Sequence, residues 1–312
     1  MNMQDFYTGH AFDAYEFFGA HTYFGGTHFA VWAPSAQHIA VETEIGTFDL
    51  HRTQSAVWEC DAPGVQAGMV YQYWVRGANG QSVAHCDPYG TAMTLRPDGR
   101  SIVSDAPKGF ADDKWMQERT KCFDKPLNIY EVHAGSWRQK EDGSWYDYEE
   151  LAEELIPYLK KMGFNYIEFL PLSEHPADCS WGYQNTGFFA PTSRYGTPQQ
   201  LKRLVEMCHE QGIGVITDFV PVHFAMDDYG LKDFDGTPLY EFPHPHTAYS
   251  EWGTMNFMHS RGEVRSFLQS AANYWLTEFH FDGIRMDAIS RALYWQGDPN
   301  RGVNEGAVTF LR

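Results

Sequence analysis

Arg285 and Asp287 stand two residues apart in the run FDGIRMDAI. If that run is a strand, its side chains alternate. Arg285 and Asp287 then share one face, while Ile284, Met286 and Ala288 share the other. A charged pair on an inner face is costly to bury unless it is fully paired or used. A guanidinium so close lowers the carboxylate's pKa and keeps it ionised, which suits a nucleophile. A purely structural ion pair fits the same spacing. A second run, TDFVPVHF, ends an apolar strand on Asp218 and places His223 five residues further on, in the following loop. Either residue alone also reads as a satisfied buried polar group. Convergence favours a site: Tyr183, His223, Arg285 and Asp287 all fall at or just after C-terminal strand ends, where parallel α/β folds place their chemistry.

The elements that must position these residues change character along the chain. Up to about residue 110 the sequence reads as all-β, with THFAVWAP, QHIAVETEIG, TFDLHR, AVWECDAP and MVYQYWVRG punctuated by Gly, Pro and Asn. Short strands at this spacing predict a small antiparallel sandwich. DPYGTAMTLRPDGRSIVSDAPKG has no period and reads as a surface connection. The boundaries drawn are a sandwich over 1–110, a linker over 111–124 and a second unit over 125–312, with the sandwich touching the second unit through one edge. From 125 onward strand and helix alternate four times: LNIYEVHAG then YEELAEELIPYLKKMG, FNYIEFLPL then TPQQLKRLVEMCHEQG, GIGVITDFV then RGEVRSFLQSAANYWLTEF, and FDGIRMDAI then NEGAVTFLR. Parallel strands covered by helices follow. Long loops after the strands point to a (β/α)8 barrel, although a doubly wound sheet shares the alternation.

Composition narrows the partners. With 23 Lys and Arg against 41 Asp and Glu, the net charge of −18 argues against nucleic acid and anionic membranes. It leaves a neutral polysaccharide open. Cys60, Cys86, Cys122, Cys179 and Cys208 lack metal-site spacing and read as free thiols in a reducing compartment. No basic-then-apolar leader and no long apolar run is present, so a cytoplasmic location is expected. His244 and His246 flank Pro245 in a loop. Without an evident third ligand they read as solvated rather than as metal ligands, and no metal or cofactor is expected.

GIRMDAI and DFVPVH resemble two signatures of the α-amylase superfamily, in the right order. IYEVHAGSW (129–137) and FLPLSEHPADCSWGYQNTGFFAPTSRYGTPQQL (169–201) resemble its branching enzymes more closely than its hydrolytic amylases. GTHFAVWAPSAQHIAV and CDPYG are similar to the immunoglobulin-like, carbohydrate-binding-module-like sandwich that precedes the barrel in those enzymes. The resemblance covers nearly the whole chain from about residue 15. It implies cleavage of α-1,4-glucan chains and their transfer to a 6-hydroxyl. Asp287 is then the nucleophile, held ionised by Arg285. His223 hydrogen-bonds the sugar, Tyr183 stacks on it, and Asp218 organises the floor. Two positions depart from the pattern: Phe219 stands where branching enzymes usually have Trp, and Val222 where calcium-dependent amylases have a ligand Asn.

Retaining glycosidases use two carboxyl groups about 5–5.5 Å apart. The family's acid/base Glu follows the fifth barrel strand, and only four strands are expected here. Glu305 follows Asp287 but belongs to a helical run. The chain is therefore expected to be the sandwich plus the first half of the barrel, lacking the acid/base, inactive alone and prone to self-association or pairing through its open side. The alternatives are another superfamily activity, debranching or trehalose-releasing, against which TGFFAPTSRYGTP weighs, or a non-catalytic glucan-binding protein.

Overall fold

Period-2 alternation organises the front of the chain. In the computed structural model, which describes residues 1–120 and 124–312, a short helix α1 (Met3–Thr8) leads into nine strands. These are β1 (Gly19–Tyr23), β2 (Gly26–Trp32), β3 (His38–Thr43), β4 (Gly46–Asp49), β5 (His51–Arg52), β6 (Val57–Pro63), β7 (Val70–Arg76), β8 (Ser82–His85) and β9 (Ser101–Ile102). They form two antiparallel sheets, β1–β2–β6–β5 and β4–β3–β7–β8, with β9 added to β7. The inward rows meet between the sheets, where Phe29 and Tyr71 lie edge to face at 5.0 Å. The aperiodic stretch 87–109 is not merely a surface connection. It contains β9, and it buries Tyr89, Met93 and Val103. Isolated anchors leave no period to read.

Residues 111–124 hold helix α2 (Asp113–Glu118), which a buried charge cluster pins to the second unit. His209 places one ring nitrogen 2.7 Å from Asp112 and the other 2.9 Å from Asp282, and His280 adds a contact to Asp112 at 2.9 Å. Trp115 of α2 donates to Asp282 at 2.8 Å and stacks on His209. Burial pulls Asp112 and Asp282 upward, but their hydrogen bonds, chiefly from His280 and His209, hold both carboxyls below the ordinary range.

The second unit then runs β10 (Ile129–Val132), α3 (Ala134–Trp137), α4 (Tyr148–Met162), β11 (Tyr166–Phe169), the pair β12 (Ser173–Glu174) and β13 (Gly187–Pro191), α5 (Pro198–Glu210) and β14 (Gly214–Phe219). The pair β15 (His223–Phe224) and β16 (Met255–Asn256) brackets α6 (Pro245–Ala248), and α7 (Gly262–Glu278), β17 (Gly283–Met286), α8 (Ile289–Leu293) and α9 (Glu305–Leu311) follow. Capping boxes open α4 at Asp147/Glu150 and α5 at Thr197/Gln200, each satisfying two otherwise unpaired backbone donors. Strands β10, β11, β14 and β17 lie in chain order in one parallel sheet. Its helix-covered face is apolar, with Val132, Ile167, Phe169, Val215 and Phe219 buried. Ile284 and Met286 pack on the same core, while Arg285 turns to the open face.

The sandwich meets this unit along more than the single edge expected. Phe18 stacks on Tyr89 at 5.0 Å and Tyr89 on Phe189 at 4.9 Å, while Tyr15 meets Tyr274 of α7 at 5.1 Å. A second seam is polar: Asp235 accepts from the Ser35 and Ala78 backbone amides at 2.8 Å each. Aromatic side chains supplied by both halves join the two cores into one. Cys60, Cys86, Cys179 and Cys208 carry free thiols, and Cys122 lies outside the described residues. Among those residues no helix is long and apolar enough to cross a membrane.

Candidate active site

Strand register brings the charged residues together. Asp218 and Arg285 are register partners on the adjacent strands β14 and β17, and one Arg285 nitrogen reaches both carboxylates. It donates to Asp218 Oδ2 at 2.6 Å and to Asp287 Oδ1 at 2.9 Å. The Tyr183 hydroxyl donates to the same Asp218 oxygen at 2.7 Å. The Asp287 amide donates to the Phe219 carbonyl at 2.9 Å, so the nucleophile candidate is anchored one step beyond the ladder.

Asp218 is buried, and its Oδ1 has no hydrogen-bond partner. Burial pushes its carboxyl up to about 6, against the Tyr183 hydrogen bond and the Arg285 charge, and the negative charge of Asp287 adds to the rise. The same cluster, led by burial, raises the Tyr183 hydroxyl. Arg285 is partly desolvated, but the charges of Asp218 and Asp287 more than compensate and raise it. It therefore stays a fixed cation between two acids.

His223 stands in the adjoining antiparallel β15–β16 pair, buried, with Nδ1 unpartnered. Burial lowers its pKa to about 4, so the ring is neutral near pH 7 and offers its nitrogens to a neutral ligand. Its ring lies 5.1 Å from that of Trp252. Gln184, next to Tyr183, donates to the Trp252 carbonyl at 3.2 Å, which ties the two loops.

The loop carrying Tyr183 is built on buried ions. Glu174 accepts from Arg194 at 2.6 Å and from Ser193 and Thr192. Asp178 is held down to about 2 by hydrogen bonds from Arg96, which outweigh its partial burial, and then from Arg194. Its turn needs Gly182, since a Cβ there would strike the Pro171 carbonyl. Trp181 accordingly takes a left-handed conformation, φ 55°, with its side chain 56% exposed.

Sequence reasoning passed over Trp181, Trp252 and the acids Glu131 and Glu168. The two acids are register partners on the open face of β10 and β11. Burial lifts Glu168, the Glu131 charge adds to the rise, and Arg285 opposes it. The signals were present in WGY and in the alternation of IYEV and YIEF, but only the register aligns them. Glu305 begins α9. His244 and His246 lie exposed at α6, and among the described residues no three acids, histidines or cysteines stand close enough to hold a metal ion.

This architecture has named counterparts. A family model described as "Carbohydrate-binding module 48 (Isoamylase N-terminal domain)" matches residues 17–90. Another, "Alpha amylase, catalytic domain", matches residues 132–234. The chain is 43% identical to the 1,4-alpha-glucan branching enzyme GlgB of Fusobacterium nucleatum, over 98% of this chain and 51% of that protein. It is 44% identical to the GlgB of Nitrosomonas europaea, over 98% of this chain and 45% of that protein. A crystal structure titled as a putative alpha amylase from Salmonella typhimurium superposes with a TM-score of 0.69 at 25% identity, covering 90% of this chain and 44% of that one. A pullulanase from Bacillus acidopullulyticus shares the fold at a TM-score of 0.72 and 23% identity, over 88% of this chain and 38% of its own. The chain thus spans about half the length of the curated relatives it matches. It is similar to the α-amylase catalytic-domain family over 132–234 and, along nearly its whole length, to about half of the 1,4-α-glucan branching enzymes it matches.

Proposed function

We propose that this chain supplies the nucleophile side of a 1,4-α-glucan branching enzyme acting in cytoplasmic glycogen synthesis. The observation that carries the reading is the single Arg285 nitrogen shared by Asp218 and Asp287 at adjacent strand ends. Asp287 attacks the anomeric carbon of an α-1,4-linked glucosyl unit and forms a glycosyl ester. The departing 4-oxygen takes a proton from an acid/base carboxyl outside this chain. A 6-hydroxyl of another chain then attacks the ester, gives its proton to that same base and creates an α-1,6 branch with net retention. Arg285 holds and aims the Asp287 carboxylate through the 2.9 Å hydrogen bond. Asp218 is a positioning residue that holds Arg285 and the Tyr183 hydroxyl. The Tyr183 ring stacks on the sugar, and neutral His223 hydrogen-bonds it.

In a full-length protein carrying this sequence, Asp287→Asn should abolish formation of α-1,6 linkages, counted by proton NMR of the product glucan. The 312-residue chain alone should not turn over, because general acid catalysis is worth roughly 10²–10⁴-fold. Surviving activity in Asp287→Asn, or hydrolysis without new branch points, overturns the reading. Turnover by the isolated chain that Glu305→Gln abolishes would place the acid/base within it.

A further inference from the structure

A cavity of about 230 Å³ lies on the seam between the sandwich and α7 and shares no lining residue with the candidate active site. Its wall draws on the approach to β1, on the stretch 104–108 beyond β9, and on the C-terminal part of α7. The volume is below the roughly 300–1,000 Å³ of drug-sized sites, so only a small ligand fits.

The wall is acidic. Glu16, Asp105 and Glu278 line it against a single cation, Lys108, and among the described residues none of these four is in an ion pair. Thr22 donates to both oxygens of Asp105, at 3.0 and 2.8 Å, and Tyr15 donates to Glu278 at 2.8 Å. Those donors are neutral, so three carboxylates against one ammonium leave a formal charge of −2. His21 adds an acceptor. Its Nε2 lies 3.0 Å from the Phe18 carbonyl. A carbonyl only accepts, so in the neutral ring Nδ1 is left to accept. Burial lowers the pKa of this histidine, which keeps it neutral near pH 7.

Acidic groups alone attract only loosely held counter-ions. Tyr274 makes this cluster a site. Its side chain is fully buried in the cavity wall, and its hydroxyl has no hydrogen-bond partner, which is costly for a buried polar group. Burial, then the nearness of Glu278 and Tyr15, raises this hydroxyl above its usual value, and both of those neighbours line the same cavity. The body of the ring is packed on Tyr15, Phe189 and Phe279, so the hydroxyl is the part left for a ligand. An anion such as phosphate would meet three carboxylates. A neutral polyol would gain nothing from the charge. A small dication answers both the charge and the acceptors.

We propose that this cavity binds a small alkane-diammonium ion. One ammonium donates to the Tyr274 oxygen and to Glu278, and the other meets Glu16 and Asp105 at the exposed rim. The ligand touches both the sandwich and α7, so it binds the folded seam and not the unfolded chain.

The test is calorimetric titration of the 312-residue chain with butane-1,4-diamine at pH 7 in about 0.15 M salt, where loose attraction to an acidic protein is screened. Binding should saturate at one ion per chain. Glu278→Gln should weaken it roughly tenfold, the order of one charge-assisted hydrogen bond. Tyr274→Phe should weaken it several-fold and leave the melting temperature at or above that of wild type, since the hydroxyl has no protein partner to lose. That combination separates a ligand contact from a packing role. Should Tyr274→Phe fail to fold, Glu278→Gln decides alone. Unchanged affinity in either folded variant, equal affinity for butane-1,4-diol, or no saturable heat at millimolar diamine overturns the proposal.

Discussion

Arg285 and Asp218 meet at 2.6 Å across neighbouring strands, yet the carboxyl of Asp218 lies above the ordinary range, at about 6. Burial outweighs the guanidinium. Because the folded value exceeds the unfolded one of about 3.9, the folded state binds more protons between those pH values, and stability from this group falls as pH rises through them. Asn at this position cannot ionise. Asp218→Asn should therefore gain on wild type by about 2 kcal/mol between pH 4 and pH 7. Urea unfolding of both proteins at the two pH values checks it, and a pH-independent difference refutes the assignment.

Trp181 pairs a costly backbone conformation with an exposed ring. A left-handed L-residue costs roughly 1–2 kcal/mol, which glycine avoids, while glycine's extra unfolded-state freedom costs roughly 0.5–1 kcal/mol. Trp181→Gly should thus remain within about 1 kcal/mol of wild type, whereas loss of a core tryptophan costs about 3–5 kcal/mol. If the ring serves substrate, maltoheptaose binding should weaken several-fold in the same variant. A large loss of thermal stability with unchanged affinity would make Trp181 a packing residue.

Much of this was legible beforehand, for identifiable reasons. The period of 3.6 in YEELAEELIPYLKKMG and the Thr-Pro signal before α5 are local, and both helices form where expected. The nearness of Arg285 and Asp287 is likewise a property of their two-residue spacing. They do meet, although β17 ends at Met286 and Asp287 lies in the turn just beyond it. What escaped depends on register or long-range packing. Glu131 and Glu168 lie 37 positions apart and become neighbours only when β10 and β11 pair. Tyr89 looked like part of an aperiodic connection because its partners, Phe18 and Phe189, come from both halves of the molecule. The cluster around His209 draws on Asp112, His280 and Asp282, which no local period links.

That cluster gives a third expectation. His209 is fully buried between two carboxylates with folded pKa values below the unfolded ones. Their contribution is present above the unfolded value of about 3.9 and is lost as pH falls through the folded values. His209→Leu leaves both acids short of a donor. It should cost about 3 kcal/mol near pH 7, the lower end for breaking a buried ionic contact, since Trp115 and His280 still donate. The deficit should shrink in acid, where wild type loses the same contribution. Unfolding titrations across that range check it, and a deficit below about 1 kcal/mol at pH 7 contradicts a role in fastening α2.

Self-association is the last expectation, and it follows from the edges of the parallel sheet. Among the described residues β10 and β17 each have a strand partner on one side only. Unpaired backbone donors and acceptors along a strand edge are a template for another chain. Neither edge carries a proline, a common device against such pairing. The open face adds apolar surface, with Ile129 exposed by 39%, and Glu131 and Glu168 are its opposing influence. Like charges brought together in a symmetric pairing of two open faces would repel, and the repulsion would be screened by salt. Association should therefore strengthen as ionic strength rises, unlike a contact built on ion pairs. Light scattering over a concentration series at low and high salt reads this directly. The average mass should climb with concentration and climb further in high salt. A sharp monomer mass at high micromolar concentration in both salts would show that the open sheet stays unpaired.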